Sequence, residues 1–201
     1  MIQEINELQI KTIKMEKTVV ATKTNWAIDP AHSEIDFKVR HLMISNVKGS
    51  FKTFGANINT ILQDFSTAEI DLWIDTASIS TGDEKRDEHL RSVDFFDVQN
   101  HKQITFTSFS IGLPDSEGNR EMIGHLSIKG ITKKVKFNVL FGGIVKDPWE
   151  NEKAGFSVNG KINRGDWELF WNTALETGGI MIGEEVTISC EIELTNIGKK
   201  A

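Results

Sequence analysis

Residues 34–43 read EIDFKVRHLM, and the period of two in this stretch decides the fold. Ile35, Phe37, Val39, His41 and Met43 fall on one side of a pleated backbone, while Glu34, Asp36, Lys38 and Arg40 fall on the other. One apolar and one charged face make a half-buried strand. The alternation returns in AEIDLWI (68–74), HLSIKG (125–130), KVKFNVLF (134–141), GFSVNGKI (155–162) and VTISCEIEL (186–194). Further strands are expected at 47–58 and 104–111, and turn-forming clusters separate the runs at 114–119, 130–132 and 147–148. Roughly eight strands in series, with no alternation of strand and helix, predict an all-β antiparallel barrel or sandwich. Closure into a barrel removes exposed edges.

The composition sets the remaining bounds. A chain of 201 residues accommodates one domain with its own core, without a disulfide or metal to hold it. The formal charge of −6 and pI near 5.4 argue against a nucleic-acid partner, which would call for a basic stripe. No lysine-rich tail offers anchoring to an anionic membrane, and no run reaches the length of a transmembrane helix. The single cysteine, Cys190, lies at an apolar parity and reads as a buried structural thiol. Residues 1–24 are the least patterned and read as a flexible N-terminal extension before a domain spanning 25–197. Acidic residues interrupt the apolar positions of that extension, so the chain is expected to be cytoplasmic.

One stretch breaks the period. TGDEKRDEHLRSVDFFD (81–97) crowds charges, a histidine and two phenylalanines together. Thr81 to Glu84 has the form of a capping box, which predicts a short helix over about 83–92 with Arg86, His89 and Leu90 on one face. Phe95 and Phe96 then need somewhere to bury.

Most catalytic chemistry is missing from the motifs. No phosphate-binding loop, dinucleotide fingerprint, HExxH or nucleophile elbow occurs, and His32, His41, His89, His101 and His125 show no metal-ligand spacing. Neither a cofactor nor a metal is therefore expected. His125 falls on a polar face, and His32 and His101 lie near turns. His41 shares the parity of Ile35 to Met43, which leaves two readings, a satisfied core histidine or a ligand contact. Arg164 follows Phe156, Val158 and Ile162 at the same parity, where a buried guanidinium must find a carboxylate partner or an anion.

Several separated motifs in a fixed order carry a resemblance. WAIDPAHSEIDFKVRHLMISNVKGSF (26–51), SISTGDEKRDEHLRSVDFFD (78–97) with ITFTS (104–108), GHLSIKGITKKVKFNV (124–139) and GFSVNGKINRGDWELFWN (155–172) resemble the YceI-like family of polyisoprenoid-binding, lipocalin-like proteins. The resemblance spans about Trp26 to Leu194. It implies an extended eight-stranded antiparallel β-barrel with a helix over part of it, whose interior holds an isoprenoid or fatty-acid-type lipid. Many relatives are periplasmic, an attribute not carried over here. The stretch Asp166 to Trp171 is bulkier than the glycine-containing turn expected at that place.

On this reading the candidate apolar lining is Ile35, Phe37, Val39, Met43, Phe51, Leu72, Ile74, Phe95, Phe96, Phe106, Phe137, Val139, Phe156 and Val158. The candidate polar contacts at the mouth are His41, Arg86, His89 and Asp94. A non-enzymatic lipid carrier is the first expectation, and the extended shape is compatible with a homodimer. Two alternatives stand beside it. One is an enzyme acting on such a lipid through His41 or His89, and the other is a structural barrel plugged by its own side chains.

Overall fold

The alternating runs become eleven strands, all paired antiparallel, in a computed structural model that describes residues 22–174 and 180–198. In chain order they are β1 (Lys23–Ile28), β2 (Glu34–His41), β3 (Ser45–Phe51), β4 (Phe54–Ile61), β5 (Asp64–Asp75) and the two-residue β6 (Ile79–Ser80). The helix α1 (Glu84–Arg91) follows, then β7 (Gln103–Ile111), β8 (Asn119–Ile128), β9 (Ile131–Lys146), β10 (Glu152–Asn163) and β11 (Ile182–Asn196).

Eight of these strands form a closed ring, in the order β1–β4–β5–β7–β8–β9–β10–β11. The ring closes because Trp26, Ala27 and Ile28 of β1 pair with Asn196, Thr195 and Leu194 at the end of β11. The same edge of β11 is used twice. Between Ile182 and Glu191 it pairs with β2 instead, which carries β3 and β6 with it. The expected eight-stranded barrel is therefore present, with a three-strand flap laid beside it. Lys23 and Thr24 already pair with Ile61 and Thr60, so the sheet begins inside the segment read as an extension. Residues 1–21 of that extension lie outside the described residues.

Two strand expectations need correction. The run 47–58 is two strands, not one. It breaks at Lys52 and Thr53, whose amides both donate to the Ser78 hydroxyl at 3.1 Å. A side chain from a distant turn thus satisfies both donors where the chain leaves one strand for the next. The run 34–43 stops at His41. Leu42 and Met43 have φ of 51° and 60°, and the Ile44 amide donates to the His41 carbonyl at 3.1 Å. Positive φ at both central residues of this turn takes the backbone out of the strand region, so strand parity no longer applies there. Met43 consequently leaves the inner face and is 55 % exposed.

One end of the barrel is plugged. Trp26 is 1 % exposed, and its indole N–H donates to the Thr60 hydroxyl at 3.1 Å. Its ring packs against Phe65 at 5.1 Å, and Phe65 meets Phe156 at 4.8 Å and Phe141 at 5.5 Å. Outside this plug, Lys153 donates to Asp29 at 2.6 Å and lies 3.1 Å from Glu193, tying the turn after β1 to β10 and β11. The Lys153 ammonium, with help from His32, holds the Asp29 carboxyl at about 2, below the usual carboxylate range.

Inside the ring, glycines on neighbouring strands make room for phenylalanine rings. A Cβ at Gly160 would lie 2.4 Å from a ring carbon of Phe137, and one at Gly124 would lie 2.4 Å from Phe106. Both rings are buried in the core. Gly155, on the same strand as Gly160, faces open space. Gly160→Ala should cost about 1–3 kcal/mol, because a rigid ring must shift in a packed layer. Gly155→Ala should stay within about 0.5 kcal/mol. Urea unfolding of the two variants, compared at equal m-values, checks the difference.

Candidate ligand-binding site

Strand alternation turns one side chain in two toward the barrel axis, and these side chains do not meet in the middle. They surround a cavity of about 510 Å³, within the ordinary range of ligand pockets. A barrel filled by its own side chains would leave no such space. Ile35, Phe37, Val39, Phe51, Leu72, Ile74, Phe95, Phe96, Phe106, Phe137, Val139, Phe156 and Val158 all line it. Met43 does not, for the hairpin reason given above. Sequence parity would also have reached Ile70, Leu126, Ile188 and Cys190, which line the cavity from the same alternating runs. Leu169, Trp171 and Met181 line it from irregular segments, where no period exists to read.

The cavity explains a feature of the burial pattern. Phe37, Val39, Leu72, Val158 and Ile188 point inward yet are only half-buried. Their free surface faces the cavity. Cys190 behaves the same way, and burial away from bulk water pushes its thiol up to about 12, with the Asp36 carboxylate adding to the effect. A thiol so disfavoured as thiolate is no nucleophile at neutral pH.

Polar groups gather at the end opposite the plug, around α1. The helix begins as expected, but its cap is Asp83 and not Thr81: the Asp83 carboxylate accepts from the Arg86 amide at 3.0 Å. Thr81 is used differently. Its amide and hydroxyl donate to Asp87 at 2.8 and 2.5 Å, and its hydroxyl and carbonyl accept from Arg86 at 2.7 and 3.0 Å. Asp87 is 3 % exposed, so this small network anchors the helix start in the fold. Arg86, His89 and Leu90 share a helix face and line the cavity, joined by the exposed Lys85. Because Lys85 is both lining and exposed, the cavity reaches the surface beside α1.

His41 lines the same end from the last residue of β2. Asp94 lies outside the lining. It pairs with His89 Nε2 at 2.9 Å, and so acts on the cavity only through that ring. The His89 ring in turn stands edge-on to Trp171 at 4.6 Å and to Phe95 at 5.1 Å. The bulky stretch after Arg164 contributes to this wall. Trp167 is 1 % exposed with its indole donating to the Leu126 carbonyl at 3.2 Å, while Leu169 and Trp171 border the cavity.

Arg164 is 6 % exposed and also lines the cavity. Among the described residues no carboxylate makes an ion pair with it, contrary to the reading that paired it with one; the Glu184 charge acts on it only from a distance. Its guanidinium donates instead to four backbone carbonyls: Gly183 at 2.9 Å, Trp171 at 3.0 Å, Ile182 at 3.4 Å, and Leu169. Desolvation lowers its pKa, with the Glu184 charge opposing the shift, yet an arginine stays charged. Elsewhere, Asp29, His32 and Glu193 bring three ligand-type atoms within 4.8 Å of one another. The Lys153 ammonium already sits on both carboxylates, so a cation of the protein's own occupies that position.

A closed antiparallel barrel, plugged at one end and enclosing an apolar ligand-sized cavity with polar groups at the other, defines a lipocalin-like binding barrel. The YceI-like domain family matches residues 26–194, and the chain belongs to that family. The UPF0312 protein SAS2572 of Staphylococcus aureus (strain MSSA476) is 39 % identical over 173 residues, covering 86 % of this chain and 98 % of that protein. The crystal structure of the Campylobacter jejuni YCEI protein superposes with a TM-score of 0.68 at 33 % identity, covering 82 % of this chain and 91 % of that one. A polyisoprenoid binding domain from Saccharophagus degradans shares the fold, with a TM-score of 0.61 at 14 % identity over 85 % of this chain and 98 % of that one. Among the described residues, no helix is long and apolar enough to cross a membrane.

The state of Cys190 gives the site a direct check. A pKa moved from 9.0 to about 12 leaves roughly a thousandfold less thiolate at pH 8. Labelling of Cys190 by a neutral thiol reagent at pH 8 should be at least about a hundredfold slower in the folded protein than in urea. Comparable rates would show that the thiol faces bulk water.

Proposed function

We propose that the protein binds a long-chain amphiphile, an isoprenoid or fatty-acid-type lipid, and sequesters or carries it without chemical turnover. The observation that carries this reading is the cavity of about 510 Å³ with an almost wholly apolar wall. Such a space offers an alkyl or prenyl chain what water does not. Each buried methylene contributes about 0.8 kcal/mol. Ten of them give roughly 8 kcal/mol gross, or about micromolar affinity before ordering costs. The plug of Trp26 and Phe65 stops a chain from passing through, so a ligand enters tail first from the α1 end. Its polar group then lies among His41, Arg86 and His89, with Asp94 behind His89.

The chemistry on the wall supports binding over catalysis. The Cys190 thiol is held protonated, and the His89–Asp94 pair sits at the rim, with its carboxylate outside the lining. The domain from Saccharophagus degradans, with the same fold, is described as binding a polyisoprenoid, which is the ligand class this cavity suits.

Organic extraction of the purified protein followed by mass spectrometry should return a long-chain lipid in near-stoichiometric amount. Stripped protein should take up geranylgeraniol with about micromolar affinity. Ile188→Trp, which adds bulk to the middle of the wall, should weaken that uptake at least tenfold while the protein unfolds as cooperatively as before. Absence of co-purified lipid together with no uptake of the alcohol would contradict the reading.

A further inference from the structure

One stretch of this acidic chain reverses its charge. The sequence carries 29 acidic residues, yet none falls between Asp36 and Asp64, while Lys38, Arg40, Lys48 and Lys52 do. The fold gathers three of those cations in the β2–β3 hairpin, whose tip, His41 to Ser45, stands at the α1 end of the barrel. Along β2, Glu34 and Asp36 lie toward the base of the hairpin, and Lys38 and Arg40 toward its tip. Lys48 of β3 stands directly opposite Lys38, an arrangement of like charges that weakens a sheet. Lysine on an open strand edge deters unwanted pairing, which accounts for Lys48, because β3 meets β6 only at Ser50 and Phe51. It does not account for Lys38, whose strand is paired on both sides. Among the described residues, no carboxylate makes an ion pair with Lys38, Arg40 or Lys48. Of the acids beside Arg40 on β11, Glu185 pairs with Lys161 at 2.8 Å, and the Glu184 charge acts on Arg164.

The tip between these cations is apolar where a turn is ordinarily polar. Turns with positive φ favour Gly, Asn or Asp. Here Leu42 and Met43 hold φ of 51° and 60°, Met43 is 55 % exposed, and Ile44 is 78 % exposed. The exposed Arg40 holds the turn, donating from Nε to the Met43 carbonyl at 3.1 Å. A strained backbone that presents apolar side chains to water gains nothing for the fold, and such features mark interaction sites. Neighbouring segments extend the apolar surface. The Leu42 amide donates to the Met181 carbonyl at 2.8 Å, next to the exposed Ile180. Phe170 is exposed as well, beside Trp171, whose ring packs on His89 of α1.

We propose that the β2–β3 tip docks on the surface of an anionic phospholipid bilayer. Met43 and Ile44 enter the interface, and Lys38, Arg40 and Lys48 face the lipid phosphates. The apolar side chains gain by leaving water, and the cations gain in the negative surface potential. Because the rest of the chain is acidic, the attraction is local and orients the molecule. This surface is separate from the cavity and needs no bound ligand. On the lipid-binding reading, the orientation turns the cavity mouth toward the bilayer from which a long-chain ligand comes.

Co-sedimentation of lipid-stripped protein with sucrose-loaded vesicles tests the proposal. Phosphatidylcholine vesicles with about 30 % phosphatidylglycerol should bind at least about tenfold more tightly than phosphatidylcholine alone, and about 1 M salt should remove most of the difference. Ile44→Glu should weaken binding to the anionic vesicles at least about tenfold. Leu113→Glu, at a leucine 84 % exposed between β7 and β8, should leave binding within about twofold. Lys38→Gln/Lys48→Gln should weaken binding at least about fivefold without lowering Tm, because it also removes the like-charge pair. Lys133→Gln/Lys134→Gln, at two exposed lysines of β9, should leave binding unchanged. Met43→Asn separates docking from folding: asparagine suits the positive φ, so Tm should hold or rise while binding falls. No binding to the anionic vesicles, or equal losses in the tip variants and their controls, would overturn the proposal and leave uptake of geranylgeraniol untouched. A dimer that Ile44→Glu dissociates, with no vesicle binding, would overturn it in favour of a second copy of the chain.

Discussion

The structure depends on the double use of one strand edge. The last residues of β11 pair with β1 and close an eight-stranded ring, while the preceding stretch of the same edge pairs with β2. Without the first pairing the sheet would have two open edges and its apolar face would lie in water. Without the second, β2 and β3 would lose the edge that turns Ile35, Phe37, Val39 and Phe51 inward. The Trp26 indole, buried at the closure and bonded to Thr60, sits where the ring and the plug meet. A single closure therefore creates both the interior and its blind end.

An interior of this kind is a compromise between packing and capacity. A well-packed core has few voids larger than a water molecule. Here the plugged end obeys that rule through its phenylalanine cluster, and so does the wall around the buried Trp167. The middle does not. Phe106 and Phe137 lie over the glycine positions 124 and 160 against the wall, which leaves the axis clear. The contacts forgone there are the ones a chain-like ligand can restore, so stability and binding are linked through the same surface.

Much of this was legible in the sequence, and the reasons are local. Strict alternation in 34–41, 68–74, 134–141, 155–162 and 186–194 identifies the strands and their inner faces because the pleat has a period of two. The helix was legible from its polar first turn, although the cap shifted from Thr81 to Asp83 once the Thr81 hydroxyl found Asp87. Parity failed where the backbone left the strand region: Leu42 and Met43 turn with positive φ, and neither residue type announces such a turn. It failed again at Lys52 and Thr53, whose partner Ser78 is distant in sequence. Arg164 was legible as an inward cation, but its four carbonyl partners lie on segments that only the tertiary fold brings together.

The polar end and the apolar middle divide the work of recognition: the wall sets how much chain is held, and the residues around α1 set how it is oriented. The central claim is that the ligand lies within the ring. Methyl-resolved NMR, titrating stripped protein with a long-chain amphiphile, tests it most directly. The account predicts large saturable shifts at the inward methyls of Ile70, Met122, Leu126 and Ile188, and none at the outward methyls of Leu62, Leu113 and Val145. Shifts confined to the outward set, or no shift of the inward set at saturation, would contradict it.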